Sequence, residues 1–293
     1  MKLKRKSANN PKIYIFSLTF VLLILAVALV VVLGFQKESK SVKMIGTITI
    51  QPGDQLLRDT IPQIAAVFKV DKKEIASIFA SQEDSPFLPP NVKDWRKMEG
   101  LIPPGKYQIP EARTLEEQVE FWLKASEKRL KKIQKAISEK NDLMVNDQLI
   151  LASIIEAECL GGKYYDEVAE VFLNRLEDGD KLQSCVTVEY ALGFQRPYLL
   201  FSDVEVESPY NTYINEGLPP GPICAISDES LKAAMKSQPK SGKSYFFYDY
   251  VLGKMYFFED YSLFQKEGIK AGERFKMDQS LGRHDRINKQ EIY

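Results

Sequence analysis

The stretch LILASIIEAECLGGKYYDEVAEVFLNRLEDGDKLQSCVTVEYALG, from Leu149 to Gly193, decides how the fold is built. The spacing of its apolar residues predicts two helices on either side of the pair Gly161-Gly162. The segment that follows is rich in Thr and Val and is compatible with a strand or a helix over residues 186–192. The first of the two helices carries two carboxylates close to its end, and these two side chains differ in the direction they face.

At about 100° per residue, Glu158 falls on the same arc as Leu151, Ile154 and Ile155, and Glu156 points to nearly the opposite side. We therefore predict that Glu158 lies on the apolar face and that Glu156 is solvated. Burial without a partner raises the pKa of a carboxyl group, which makes Glu158 a candidate general acid. The alternative is a Glu at the rim of the apolar face or one paired with a cation, which is the commoner situation near a helix end.

The composition excludes several kinds of site. The chain has 40 Lys and Arg and 40 Asp and Glu residues, so its charge balance gives no indication of nucleic acid as a partner. Its single histidine, His284, lies in a polar stretch, which excludes zinc sites built on two or three histidines and leaves one residue for any Ser-His-Asp or Cys-His site. No Walker loop, dinucleotide-binding glycine motif or metal loop occurs. We expect no metal and no cofactor, and a chemistry that uses carboxylates, hydroxyls and amides.

The three cysteines, Cys159, Cys185 and Cys224, are too few and odd in number for a disulfide framework in an exported domain. We expect free thiols. The alternative is a bond between Cys159 and Cys185 that would gate the site, provided that the two lie close together.

An uncharged apolar run from Ile13 to Phe35 is long enough to cross a bilayer as a helix. Basic residues in 1–12 precede it, which predicts a cytoplasmic N-terminus. The run is too long for a cleaved signal peptide and no small-x-small cleavage site follows it. We predict a single-pass protein of the cell membrane with everything after about Lys37 outside the cytoplasm.

Residues 44–110 predict a small module. Ile45–Ile50 alternates as a strand does, Ile61–Phe68 and Asp71–Ala80 have helical spacing, and Lys106–Ile109 is a candidate return strand. This order of elements resembles a LysM-type module, a small glycan-binding fold. A structural spacer between the membrane and the catalytic domain is the alternative.

Residues 111–265 predict a larger domain and complete a fold of the α+β class. Thr114 and Glu117 form the pattern of a capping box at the start of a long helix. A loop of turn formers over Ser208–Pro222, a short helix over Asp228–Lys236 and a hairpin from Tyr245 to Phe258 follow. Residues 266–293 form a charged tail that is poor in apolar residues, and we expect it to be partly disordered.

Six motifs resemble those of the endolytic murein transglycosylase family, also called the YceG-like proteins. They are Ile154-Ile155-Glu156-Ala157-Glu158, Val171-Phe172-Leu173-Asn174-Arg175-Leu176, Leu182-Gln183, Thr187-Val188-Glu189-Tyr190, Tyr210-Asn211-Thr212-Tyr213 and Gly217-Leu218-Pro219-Pro220-Gly221-Pro222-Ile223. The resemblance covers roughly Glu99 to Tyr261. The chain departs from the family where Cys185-Val186 stands for a usual Asp-Pro, where Met255 stands near a usual His, and where Ala225-Ile226-Ser227 stands for a common Asn-Pro-Gly.

The resemblance implies an N-terminal anchor, a LysM-like part and a YceG-like catalytic domain. Members of the family cut peptidoglycan strands internally at the MurNAc-GlcNAc bond and leave 1,6-anhydro-MurNAc ends, and such cuts would terminate nascent strands. Their catalytic residue is the second Glu of the first motif, which is Glu158 here. The implied substrate is peptidoglycan, and cell-wall synthases and division proteins are the candidate partners.

The sequence also offers neutral hydrogen-bonding side chains for sugar hydroxyls and acetamido groups. Each of them is equally compatible with a turn or core role: Gln183, Thr187, Tyr190, Asn211 and Tyr213.

Two other functions remain open. One is a glycan-binding or scaffold protein of the wall-synthesis machinery that does not cut, which the departures at Cys185 and Met255 favour. The other is a hydrolase that uses a second carboxylate, such as Glu189 or Asp203, to activate water.

Overall fold

The first part of the fold is a two-stranded antiparallel sheet with two helices between its strands. Strand β1, Met44–Ile50, pairs with β2, Gly105–Pro110, so that Ile48 lies opposite Tyr107. The computed structural model describes residues 42–159, 162–195, 199–240 and 242–281. The described residues from 44 to 281 belong to one compact unit.

Two helices, α1 (Ile61–Phe68) and α2 (Lys72–Ala80), connect these strands, with a π-helical turn Leu56–Thr60 before α1 and a 3-10 turn Trp95–Met98 after α2. The side chain of Asp71 accepts a hydrogen bond from the Glu74 backbone nitrogen at 2.8 Å, which caps α2. The predicted order of strand, helix, helix and strand over 44–110 is therefore confirmed.

Helix α3, Leu115–Ala136, begins at the predicted capping box. Thr114 accepts from the Glu117 backbone nitrogen at 3.2 Å, and Glu117 accepts from the Thr114 backbone nitrogen at 3.0 Å. Its apolar side chains Val119, Trp122, Leu130 and Ile133 are buried. These contacts make α3 one wall of the core.

Helix α4, Val145–Glu158, is the most deeply buried element, since every residue from Gln148 to Glu156 is buried. It packs against α5 (Tyr165–Asp178), α6 (Cys185–Leu192) and α7 (Asp228–Lys236). Residues 186–192, whose sequence is compatible with a strand or a helix, are thus part of a helix. A helix that is covered on all sides does not have a solvated face, which decides the position of Glu156 below.

A second sheet is the predicted hairpin of β3, Tyr245–Asp249, and β4, Lys254–Phe258. Helix α8, Tyr261–Ser280, follows it, so the expected disorder after Gln265 is wrong for the residues that the structure describes. The helix forms because it has a surface to pack on: the Phe264 ring lies 5.5 Å from that of Tyr245, and Arg274 Nε donates to Asp249 at 3.0 Å. With four strands in two separate sheets among the described residues, the fold is a mixture of α and β structure, as predicted.

The predicted membrane helix over Ile13–Phe35 lies outside the described residues. Among the residues that are described, no helix combines the length and the apolar character that crossing a membrane requires.

The 44–110 part is joined to the rest by contacts that bury a carboxylate. Glu99 is 1% exposed and accepts from the Leu56 backbone nitrogen and from the Tyr190 hydroxyl, both at 3.0 Å. Next to it, Gly100 has a φ of +71°, and a Cβ atom there would lie 2.7 Å from Cβ of Pro222. Burial raises the pKa of Glu99 to about 8, against the lowering effect of its two hydrogen bonds.

Glu99 is expected to make the stability of the protein depend on pH. Its folded-state pKa of about 8 lies above the ordinary 4.5, so the folded chain holds a proton that the unfolded chain has lost. The free energy of unfolding should therefore fall as pH rises from 4.5 to about 8, by a few kcal/mol at about 1.4 kcal/mol for each unit of pKa shift. Denaturant unfolding at several pH values measures this fall.

Glu99→Gln should flatten this pH dependence, because its amide cannot ionise, while Glu83→Gln at an exposed position should leave the dependence as it is in the wild type. An equal slope of the free energy of unfolding against pH in wild type and Glu99→Gln would contradict the raised pKa of Glu99.

Candidate active site

Glu158 is the last residue of α4 and lines a cleft of about 740 Å³. Cys159 leaves the helix with φ −98° and ψ 75°, so the chain turns away and Glu158 is left half-buried at the cleft. The cleft is bounded by α5 and α6, by the residues around Leu200 and Tyr213, and by the hairpin of β3 and β4, called the aromatic hairpin below.

The Glu158 carboxylate accepts a hydrogen bond from Ser184 Oγ to its Oε1 at 2.6 Å. Burial raises its pKa above the ordinary value, and the negative charge of Glu189 adds to that effect. The Ser184 hydrogen bond and the positive charge of Arg175 act in the opposite direction. The balance favours the protonated carboxyl group that a general acid needs.

Glu156 is not solvated, so that prediction is wrong. It is 9% exposed and accepts hydrogen bonds from Tyr165 Oη at 2.9 Å, Ser227 N at 2.9 Å and Ser230 Oγ at 2.6 Å. A solvated Glu156 requires one side of α4 to meet water, but α5, α7 and the segment 223–227 cover that side. A carboxylate with three donors can be buried as a structural group.

Two of the five predicted sugar ligands line the cleft with Glu158. Gln183 is exposed there, and its backbone has a positive φ of 46°. Tyr213 Oη lies 3.2 Å from Cys185 Sγ, another residue of the cleft wall. The pair therefore places a thiol and a phenol beside the carboxylate.

The other three predicted sugar ligands hydrogen-bond inside the protein and do not line this cleft. Thr187 Oγ1 donates to the Ser184 carbonyl, and Tyr190 Oη donates to Glu99. Asn211 Nδ2 donates to the carbonyls of Val204 and Val206, both at 2.9 Å. These residues hold loops and helices in position.

The two carboxylates considered as a second catalytic group differ in position. Glu189, on α6, lines the cleft and is 5% exposed. Asp203 is buried and accepts from the Leu200 backbone nitrogen at 2.8 Å, and it does not line the cleft.

Arg175 is a cleft residue that sequence reasoning did not select. Its Nε donates to the Ser244 carbonyl at 2.7 Å and its Nη1 donates to the Leu182 carbonyl, so it ties α5 to the hairpin and to the segment before α6. The available signal in the sequence was the polar pair Asn174-Arg175 within an otherwise apolar stretch of the helix. The Asn174 side chain is also buried.

The aromatic hairpin was predicted as a hairpin but not as a cleft wall. Tyr248, Tyr250 and Phe247 line the cleft, and Tyr250 is 41% exposed. The dense aromatic run YFFYDY was the available signal.

All three thiols are free, as predicted: Cys185 is exposed, and Cys159 and Cys224 are buried. Desolvation by the surrounding cleft wall, followed by the negative charge of Glu158, raises the pKa of Cys185 to about 11. Within the described ranges, no group of three or more His, Cys, Asp or Glu side chains is arranged to hold a metal ion.

Comparisons with known proteins bear on this site. A sequence model of the YceG-like family matches residues 29–269. The endolytic murein transglycosylase of Streptococcus pneumoniae (serotype 2, strain D39) is 31% identical over 234 residues, which cover 72% of this chain and 42% of that protein. The protein of the same name from Bacillus subtilis (strain 168) is 32% identical over 203 residues, which cover 64% and 55%. The chain thus spans about half the length of these curated relatives.

A solved structure is similar as well. The crystal structure of a putative YceG-like protein from Listeria monocytogenes has a TM-score of 0.66 and 29% sequence identity, and the match covers 80% of each chain.

Replacement of Glu156 should destabilise the protein. In Glu156→Gln, a neutral amide replaces the carboxylate, so the three buried hydrogen bonds lose their charge assistance, at a cost of about 1–3 kcal/mol. Denaturant unfolding measures this loss, with Glu177→Gln on the exposed side of α5 as the matched control. Equal stability of Glu156→Gln and the control would show that the three hydrogen bonds contribute little.

Proposed function

The chain belongs to the YceG-like family, and we propose that it is an endolytic lytic transglycosylase that cuts peptidoglycan strands and uses Glu158 as its catalytic residue. The observation that carries the proposal is a half-buried carboxyl group of raised pKa in a cleft of about 740 Å³. The names of the two curated relatives support the reaction class and the substrate.

One carboxyl group is enough for this reaction. In its acid form, Glu158 protonates the oxygen that bridges MurNAc and GlcNAc, the C1–O bond breaks, and oxocarbenium character develops at C1 of MurNAc. The resulting carboxylate takes the proton of the C6 hydroxyl, and O6 bonds to C1 to close the 1,6-anhydro ring. Glu158 ends protonated, and no water is consumed.

The cleft walls suit a glycan strand. Gln183 and Tyr213 offer neutral hydrogen-bonding groups for sugar hydroxyls and acetamido groups. Tyr248 and Tyr250 on the hairpin offer aromatic faces against which sugar rings can stack. We propose these four residues as substrate contacts.

Glu189 supports a second candidate, a hydrolase. It lies on the same cleft as Glu158, and a second carboxylate in the cleft can activate water. The product separates the two reactions, because hydrolysis leaves a reducing end.

The test is digestion of purified glycan strands by the full chain in detergent, with the mass of the new ends as the readout. Wild type should produce anhydro ends, and Glu158→Gln should lose roughly a hundred- to ten-thousandfold in rate, because an amide cannot donate an acidic proton. Glu167→Gln, at an exposed position on α5, is the matched control and should cut as wild type does. Reducing ends would identify a hydrolase, and intact strands would identify a binding or scaffold protein; either result would overturn the proposal.

We also propose that 13–35 is a membrane helix with 1–12 in the cytoplasm and the catalytic domain outside, and that 44–110 is a LysM-like module. The apolar run and the order of strand, helix, helix and strand support these two assignments. In this arrangement the enzyme would act on strands near the membrane and terminate nascent glycans, next to cell-wall synthases and division proteins. External protease should digest the domain on cells stripped of their wall, and protection of the domain until lysis would contradict the topology.

A further inference from the structure

A closed ring of hydrogen bonds lies behind the Glu158 carboxylate. The Ser184 backbone nitrogen donates to Thr212 Oγ1 at 3.0 Å, the two threonine hydroxyls of Thr212 and Thr187 are 2.8 Å apart, and Thr187 Oγ1 donates to the Ser184 carbonyl at 2.7 Å. Ser184, Thr187 and Thr212 are 2%, 0% and 1% exposed. The ring therefore fixes the peptide groups on both sides of the Ser184 side chain.

The number of hydroxyl protons decides which group donates in each hydrogen bond of the ring. A hydroxyl group has a single proton to donate. Thr187 gives its proton to the Ser184 carbonyl, so Thr212 must be the donor between the two threonines, while its oxygen accepts from Ser184 N. None of these donations uses the Ser184 hydroxyl proton, which is directed to Glu158 Oε1 at 2.6 Å.

The backbone before Ser184 is held in a strained conformation by the same loop. Gln183 has a φ of +46°, in the left-handed region that side chains other than glycine rarely adopt. Its backbone nitrogen donates to the Thr212 carbonyl at 3.1 Å. The loop that carries Thr212 thus binds both Gln183 and Ser184 and determines where the Ser184 side chain points.

We propose that Ser184, held by Thr187 and Thr212, is a positioning residue that occupies Oε1 of Glu158 and leaves Oε2 to carry the acid proton towards the glycan; this rests on the function proposed above. Within the described part of the chain, Glu158 accepts no other hydrogen bond. The assignment gives Thr187, first considered as a sugar ligand, a role behind the catalytic group.

The pH behaviour of Glu158 follows from this arrangement. A hydrogen bond to a carboxylate favours the charged form, and the Ser184 bond accordingly lowers the pKa of Glu158, against burial and Glu189, which raise it. The other titratable or charged side chains on the cleft come from every element around it: Cys159, Lys163, Tyr164, Arg175, Cys185, Tyr213, Tyr245, Tyr248, Tyr250 and Tyr261. Loss of the Ser184 hydroxyl leaves all of these in place and should raise the pKa of Glu158 further.

The first experiment measures cleavage rate against pH for the full chain. Ser184→Ala should lower the maximal rate about tenfold or more, because Glu158 is less well oriented. It should also move the falling limb of the profile to higher pH, because Glu158 keeps its proton longer. Thr187→Val and Thr212→Val should change the rate and the pH of the falling limb in the same direction to a smaller extent. Ser184→Thr keeps a hydroxyl group and should have the rate and the falling limb of the wild type.

The second experiment does not depend on activity. In the full chain labelled with carboxyl-¹³C glutamate, the Glu158 signal is identified by its loss in Glu158→Gln, and its titration is followed by NMR. The midpoint should be higher in Ser184→Ala than in wild type. Ser153→Ala is the matched control, since Ser153 is a buried hydroxyl on α4 that bonds Ile150 and Ile223 and not Glu158.

An unchanged midpoint in Ser184→Ala, or equal shifts in Ser184→Ala and Ser153→Ala, would overturn the positioning role. If Ser184→Ala does not fold, the pH profiles of Thr187→Val, Thr212→Val and Ser184→Thr decide whether Ser184 has the positioning role. Wild type that titrates as expected but releases no anhydro ends would refute the proposed function and, with it, the aiming of the proton at the glycan, while the effect of Ser184 on the pKa of Glu158 would stand.

Discussion

Three hydrogen bonds to Glu156 hold the end of helix α4 inside the protein. They come from Tyr165 on α5 and from Ser227 and Ser230 at the start of α7, and the two serines lie 71 and 74 residues after Glu156. Burying a carboxylate is costly unless donors surround it, so these elements must meet at one place for the fold to form. Once they meet, the direction of the final turn of α4, and with it the position of Glu158, is determined.

Two carboxylates that are two residues apart thereby have different chemical tasks. Glu156 is enclosed by donors and serves the structure, whereas Glu158 receives one hydrogen bond, from Ser184, and faces the cleft. In general, the environment of a carboxyl group, and not its residue type, decides whether it stays ionised or holds a proton near neutral pH. Here the separation is achieved within a single turn of helix.

Contacts from several loops, in addition to helix α4, form the cleft. The ring of Ser184, Thr187 and Thr212 sits behind Glu158, and Arg175 ties the hairpin to the segment before α6. At the other end of the core, Glu99 links the turn at Leu56 to Tyr190 on α6, so the 44–110 part is connected to the same helix that carries the cleft residue Glu189. The cleft is therefore a product of several distant segments, each held by a small number of buried polar contacts.

The sequence by itself determined the local elements: the strands of both sheets, the capped start of α3, the hairpin, and the place of Glu158 at the end of an apolar helix. These follow from periodicity and capping, which act over a few residues. Only the tertiary structure decided that Glu156 is buried, that Thr187, Tyr190 and Asn211 bond inside the protein, and that residues 266–280 continue a helix on the hairpin. The reason is physical: these outcomes depend on partners in other elements or loops, such as Ser227 for Glu156 and Glu99 for Tyr190, which periodicity does not show. A helical pattern cannot tell whether water or another part of the chain covers its polar side.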